Sequence, residues 1–135
     1  MKRKTFLTLT SVIVFVIGGL ALSAPEVLLT NVKHAAPSAA ASVMARTVGI
    51  LLVSVGVLDF LIRDHEDSPT LRAVLSANLF LQVGILPIDP IAYVSGAYRQ
   101  LGSFVPNTVL HVLLAGGFIF YLSRMKPASK GQRTL

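Results

Sequence analysis

Four long stretches of this chain carry no Asp, Glu, Lys or Arg: residues 5–25, 47–58, 73–88 and 100–123. A helix needs about 20 largely apolar residues to cross a hydrocarbon core of about 30 Å. Only 13% of the residues are charged and 53% are hydrophobic. A soluble domain of this size must cover its core with polar surface, and this composition does not supply enough. The pattern excludes a soluble enzyme, a nucleic-acid-binding domain and a disordered chain. It predicts an all-α, polytopic membrane protein built as an antiparallel four-transmembrane-helix bundle, one integral domain over residues 1–135.

The predicted spans run over about residues 6–29, 43–62, 71–87 and 105–122, with a flexible polar tail over 125–135. Continuous apolar runs of this length do not alternate as barrel strands do. The first span also reads as a signal peptide, with Lys2, Arg3 and Lys4 before it and small residues at Ala21, Ser23 and Ala24. Its length and Pro25 oppose cleavage, so an uncleaved anchor is expected.

The net charge of +6 invites a nucleic-acid reading, but the basic residues flank the apolar runs. With the N-terminus inside, nine basic residues face the cytoplasm: Lys2, Arg3, Lys4, Arg63, Arg72, Arg124, Lys126, Lys130 and Arg133. Lys33, Arg46 and Arg99 face out. This bias predicts a multi-pass protein of the bacterial inner membrane with both termini cytoplasmic. The lipid bilayer is the expected partner, with contact to anionic headgroups. The chain has no cysteine, so disulfides and thiolate metal sites are excluded.

Ser68 and Pro69 predict an N-cap and first-turn proline for the third helix. Pro87 and Pro90 are expected to disrupt the helix beyond it. On the second helix, Ala45, Gly49, Leu52, Gly56, Asp59 and Arg63 share one face. The small residues there let another backbone approach closely. Asp59 and Arg63 are four apart and are expected to form a structural ion pair; a proton or ion role for Asp59 is the sharper alternative.

On the third helix, Asn78, Gln82 and Asp89 fall within about 40° of one another. Asn107 and His111 share a face of the fourth, and Arg46 enters the second from the same side. Arg46, Asn78, Gln82, Asp89, Asn107 and His111 are therefore candidate ligand-binding residues around an outward-facing polar cavity. The plainer reading is that they hydrogen-bond between helices and hold the bundle together. His34 and His65 lie in or beside loops, and only His111 lies inside a span, so no bis-histidine haem pair forms. No phosphate loop, Gly-x-Ser-x-Gly elbow or His-Glu-x-x-His motif occurs, and no metal or cofactor is expected.

The run Arg46-Thr47-Val48-Gly49-Ile50-Leu51-Leu52, Gly56 seven residues after Gly49, the charged turn from Arg63, the Asn78 helix and the His111–Phe118 segment resemble the DoxX-like group of small bacterial four-helix membrane proteins. The resemblance covers about residues 44–123 and implies the four-helix fold. DoxX is associated with a quinone-linked thiosulfate oxidoreductase, and no residue of this chain carries that activity over. Three functions follow as expectations. The first is an accessory or structural component of a membrane complex, alone or as a homo-oligomer. The second is small-ligand binding or transport through the polar cavity. The third is a quinone- or lipid-linked membrane enzyme with His111 and Asp89 as acid–base candidates.

Overall fold

The computed structural model describes residues 1–98 and 100–126. Six helices follow in order: α1 (Arg3–Ser23), α2 (Pro25–Val27), α3 (Ala39–Ile62), α4 (Pro69–Ile85), α5 (Ile88–Val94) and α6 (Val105–Arg124). Four segments are long and apolar enough to cross a membrane: α1, α3, α4 running on through α5, and α6. They form an all-α antiparallel bundle. Arg99 and the predicted tail beyond Lys126 lie outside the described residues.

The first span ends earlier than residue 29, because Ala24 leaves the helical conformation and Pro25 restarts the chain in a short turn. Leu28–Val32 then forms a wider π-helical turn closed by the Lys33 amide on the Leu28 carbonyl at 3.0 Å. His34 adopts a left-handed φ of 49°, which turns the chain back toward α3. Ser38 caps α3 by accepting the Ala41 amide at 3.1 Å, and Ser68 caps α4 by accepting the Leu71 amide at 3.1 Å. Pro69 opens α4, as its sequence predicts.

The two downstream prolines do not end the third span. Pro87 immediately precedes α5, and Pro90 lies in its first turn. A proline there removes an N–H that has no intrahelical partner anyway. The third span thus extends to Val94 with only a brief interruption at Leu86 and Pro87.

Packing divides the bundle into two helix pairs, α1 with α3 and α4 with α6. The first pair is brought close by glycine. A Cβ on Gly49 would lie 2.7 Å from the Leu22 amide nitrogen, and one on Gly56 would lie 2.9 Å from a Val14 methyl. The Ser11 hydroxyl donates to the Gly56 carbonyl at 2.8 Å across the same seam. The glycine face of α3 is therefore the face that meets α1.

The pairs meet at the end that carries the termini. Phe6, Leu7, Ile62, Leu71, Leu75, Leu114 and Phe118 form the core there. Phe6 packs edge-on against Phe118, with centroids 5.0 Å apart. Gly117 leaves room for the Phe6 ring. Ionic contacts close this end over the core. Arg3 pairs with Asp67, Lys4 with Asp64 at 2.8 Å, and the Tyr121 hydroxyl donates to the Met1 carbonyl at 2.7 Å. Arg72 donates to the Met125 carbonyl at 3.2 Å.

Between α3 and α4 the bundle is open on its side. A cleft of about 630 Å³ runs there, lined by Val55, Leu58, Ala77, Phe80 and Gly84, with Asn78 at its wall.

Candidate functional site: a polar ladder along one face of α4

Intramembrane polar groups must find partners inside the protein, because lipid offers none. The stripe predicted on the third span is real, and each of its members is buried. Asn78 is 5% exposed, Gln82 3% and Asp89 5%. They do not converge on one cavity, however. Each reaches a different neighbour, so the stripe is a ladder with three rungs.

At the rung nearest the termini, the Asn78 amide donates to Asp59 Oδ1 at 2.8 Å. This rung links α4 to α3. Asp59 is fully buried, and its Oδ2 has no hydrogen-bond partner. In the middle, His111 Nδ1 lies 2.5 Å from Gln82 Oε1. An amide oxygen only accepts, so Nδ1 carries the hydrogen in this contact. This rung links α4 to α6.

The third rung lies at the end opposite the termini. Asn107 donates to Asp89 Oδ2 at 2.7 Å, and the Lys33 ammonium lies 3.0 Å from the same oxygen and 3.2 Å from Oδ1. Lys33 also sits 5.4 Å from the centre of the Tyr98 ring. This rung joins the turn after α2, α5 and α6. The Tyr98 phenol is pushed above its ordinary range by burial first and by the Asp89 carboxylate second.

The structure departs from the sequence-based expectation at two positions, Arg63 and Arg46. Asp59 and Arg63 do not form an ion pair. Arg63 ends α3, and its guanidinium turns outward to the Phe60 carbonyl, the Phe60 ring at 3.5 Å and Asp64 at 3.5 Å. A guanidinium at a helix end keeps its hydration there, whereas Asp59 one turn earlier faces inward. Arg46 does not join the other candidates either. It lies exposed in the second turn of α3, where it acts on Glu26. The Glu26 carboxyl is held below its ordinary range by its backbone hydrogen bond first, then by the Ser42 hydroxyl, with Arg46 adding to the effect.

Lys33 is the residue that sequence reasoning missed. It reads as one more basic residue on an outer loop, and nothing periodic places it near Asp89. His111 and Asp89, paired by the acid–base reading, take separate partners. Among the described residues no group of three His, Asp or Glu side chains is placed to hold a metal ion.

The fold and its buried polar ladder define a multi-pass α-helical membrane protein. Comparison of the chain with family models, curated proteins and solved structures gives no match.

Proposed function

We propose that this chain is a structural subunit of a larger membrane complex, with its α3–α4 cleft receiving a transmembrane helix of a partner. The observation that carries this reading is the open apolar cleft between α3 and α4, set apart from the Gln82–His111 and Lys33–Asp89–Asn107 contacts. Both Asp89 oxygens are bound by Lys33 and Asn107, and Gln82 Oε1 is bound by His111 Nδ1, so these atoms are committed within the protein. The cleft, by contrast, is lined almost wholly by apolar side chains. Ala73 and Ala77 expose methyl groups and Gly84 exposes backbone along about 16 Å of α4, beside a Phe80 that is 80% exposed. In lipid, helices associate through close packing at such small residues rather than by hydrophobic exclusion.

The basic residues of α1, α4 and α6 at the terminal end support an inner-membrane protein with cytoplasmic termini, by the positive-inside bias. The DoxX-like resemblance supports a bacterial source. A second reading, a quinone- or lipid-linked function, draws on Asn78 as an amide in the wall of an apolar cleft.

The chain has no cysteine, so Ala77→Cys introduces a unique thiol into the cleft. Cross-linking from that thiol, followed by native mass spectrometry after gentle extraction, tests the proposal. A stoichiometric protein adduct supports the subunit reading, and an adduct of doubled mass identifies the partner as a second copy. A protein that emerges without protein partners but with a discrete bound small molecule overturns it in favour of the second reading. A bare monomer overturns both.

A further inference from the structure

Among the described residues, Asp59 is the one acid buried in the span core without a cation. Four elements bear on its surroundings, and each spends its charges elsewhere. On α1 the chain carries no charge between residues 5 and 25, and Arg3 and Lys4 are held by Asp67 and Asp64. On α3, Arg63 turns to Phe60 and Asp64. On α4, Arg72 donates to carbonyls of Leu122, Met125 and Lys126. On α6, His111 is bound to Gln82, Tyr121 to the Met1 carbonyl, and Arg124 lies over the Phe120 ring.

An isolated carboxylate in such a place is costly, and one amide donor offsets only part of the cost. Oδ2 has neither donor nor water-facing surface. A proton is the ligand that completes this group. The neighbour suits both forms of the acid. The Asn78 amide donates through Nδ2 to a carboxylate, and after turning over it accepts through Oδ1 from a carboxylic acid. Asp59 also lies one turn before the end of α3 at Ile62, close to the aqueous side where the termini lie.

We propose that Asp59 and Asn78 form a reversible proton-binding site inside the bundle, exchanging with the aqueous side at the termini. The proton adds to a carboxylate oxygen of Asp59 and leaves from it, and no other bond changes. Because Asp59 belongs to the α1–α3 pair and Asn78 to the α4–α6 pair, proton binding changes the hydrogen bond that joins the pairs beside the open cleft. The site stands whether or not the cleft holds a partner.

The test is a carbon-13 NMR titration of the assigned Asp59 carboxyl carbon in the wild-type chain, held in lipid nanodiscs, between about pH 5 and 9. The expected result is a reversible move of that carbon between its carboxylic-acid and carboxylate positions. The Asn78 side-chain amide signals should move with the same midpoint. In Asp59→Asn the Asn78 signals should no longer titrate. Asp64 and Asp67 serve as internal references that stay in the carboxylate form. A carboxyl signal for Asp59 that stays fixed across the range overturns the proposal, whichever form it reports. So does a titration that the Asn78 amide does not follow.

Discussion

Gly18 and Gly49 face each other where α1 and α3 cross, and a Cβ added to Gly49 would lie 2.8 Å from the Gly18 carbonyl oxygen. That distance admits no side chain without moving one helix backbone against the other. Gly19, the neighbouring residue, has open space around it. The adjacent glycines thus have different roles, decided by which side of α1 each occupies.

Replacing Gly49 with leucine is expected to destabilise the bundle by about 3 kcal/mol or more through overpacking. Gly19→Ala should be neutral or slightly stabilising, since alanine favours the helix. Reversible unfolding in mixed detergent, followed by circular dichroism, compares the two. Equal effects at both positions would contradict the crossing described.

The Lys33–Asp89–Asn107 group ties a loop to two helices, and both charged side chains are mostly buried, 20% and 7% exposed. Asp89→Asn removes the negative charge and leaves the Lys33 ammonium without its counter-ion. A loss of about 2 kcal/mol is expected. The turn after α2 should then exchange its amide hydrogens faster than the α1–α3 seam does, as read by hydrogen exchange. Unchanged protection at Lys33 and Ala35 would argue against the tie.

The Gln82–His111 rung should show direct coupling. In a double-mutant cycle of Gln82→Ala and His111→Ala, a coupling energy of about 0.6 to 1.7 kcal/mol is expected for a hydrogen bond between membrane helices. Additive effects of the two substitutions would place the polar groups apart. Loss of an activity with full retention of stability in His111→Ala would instead revive the ligand reading for this histidine.

The terminal clamp should respond to acid. Arg3 and, after it, the Lys126 amide hold the Asp67 carboxyl below its ordinary range. A carboxyl whose value is lowered in the folded state stabilises that state above its unfolded value, and the contribution is lost as pH falls through the folded value. The clamp is therefore expected to be intact at neutral pH and to open below the ordinary carboxylate range. Protease cleavage near Arg3 and Lys126, followed as pH falls in a pH-tolerant protease, reads this opening. Asp67→Asn should reduce the pH dependence of cleavage in that window, leaving the part that the Lys4–Asp64 pair contributes.

Periodicity explains why part of the ladder was legible beforehand. The spacing of Asn78, Gln82 and Asp89 puts them on one side of a helix whatever that helix meets. The same arithmetic put Gly49 and Gly56 on one face with Asp59. It does not say which neighbour lies opposite. Asn78 found Asp59 on α3, while Gln82 and Asp89 found partners on α6, and one stripe became three separate contacts.

By itself, the amino-acid sequence determined the number of apolar helices, the Ser68 cap and the faces on which small and polar residues gather. Those follow from local chemistry: the cost of exposing backbone to lipid, and the angle between successive side chains. The tertiary structure alone decided the partners. Lys33 reached Asp89 because a π-helical turn and a left-handed His34 redirected the loop, and no period encodes that. Arg63 left Asp59 because a helix end offers a guanidinium water, a carbonyl and an aromatic ring at once. The open side between α3 and α4 likewise depends on how two helix pairs lean together, a property of the assembled bundle and not of any one span.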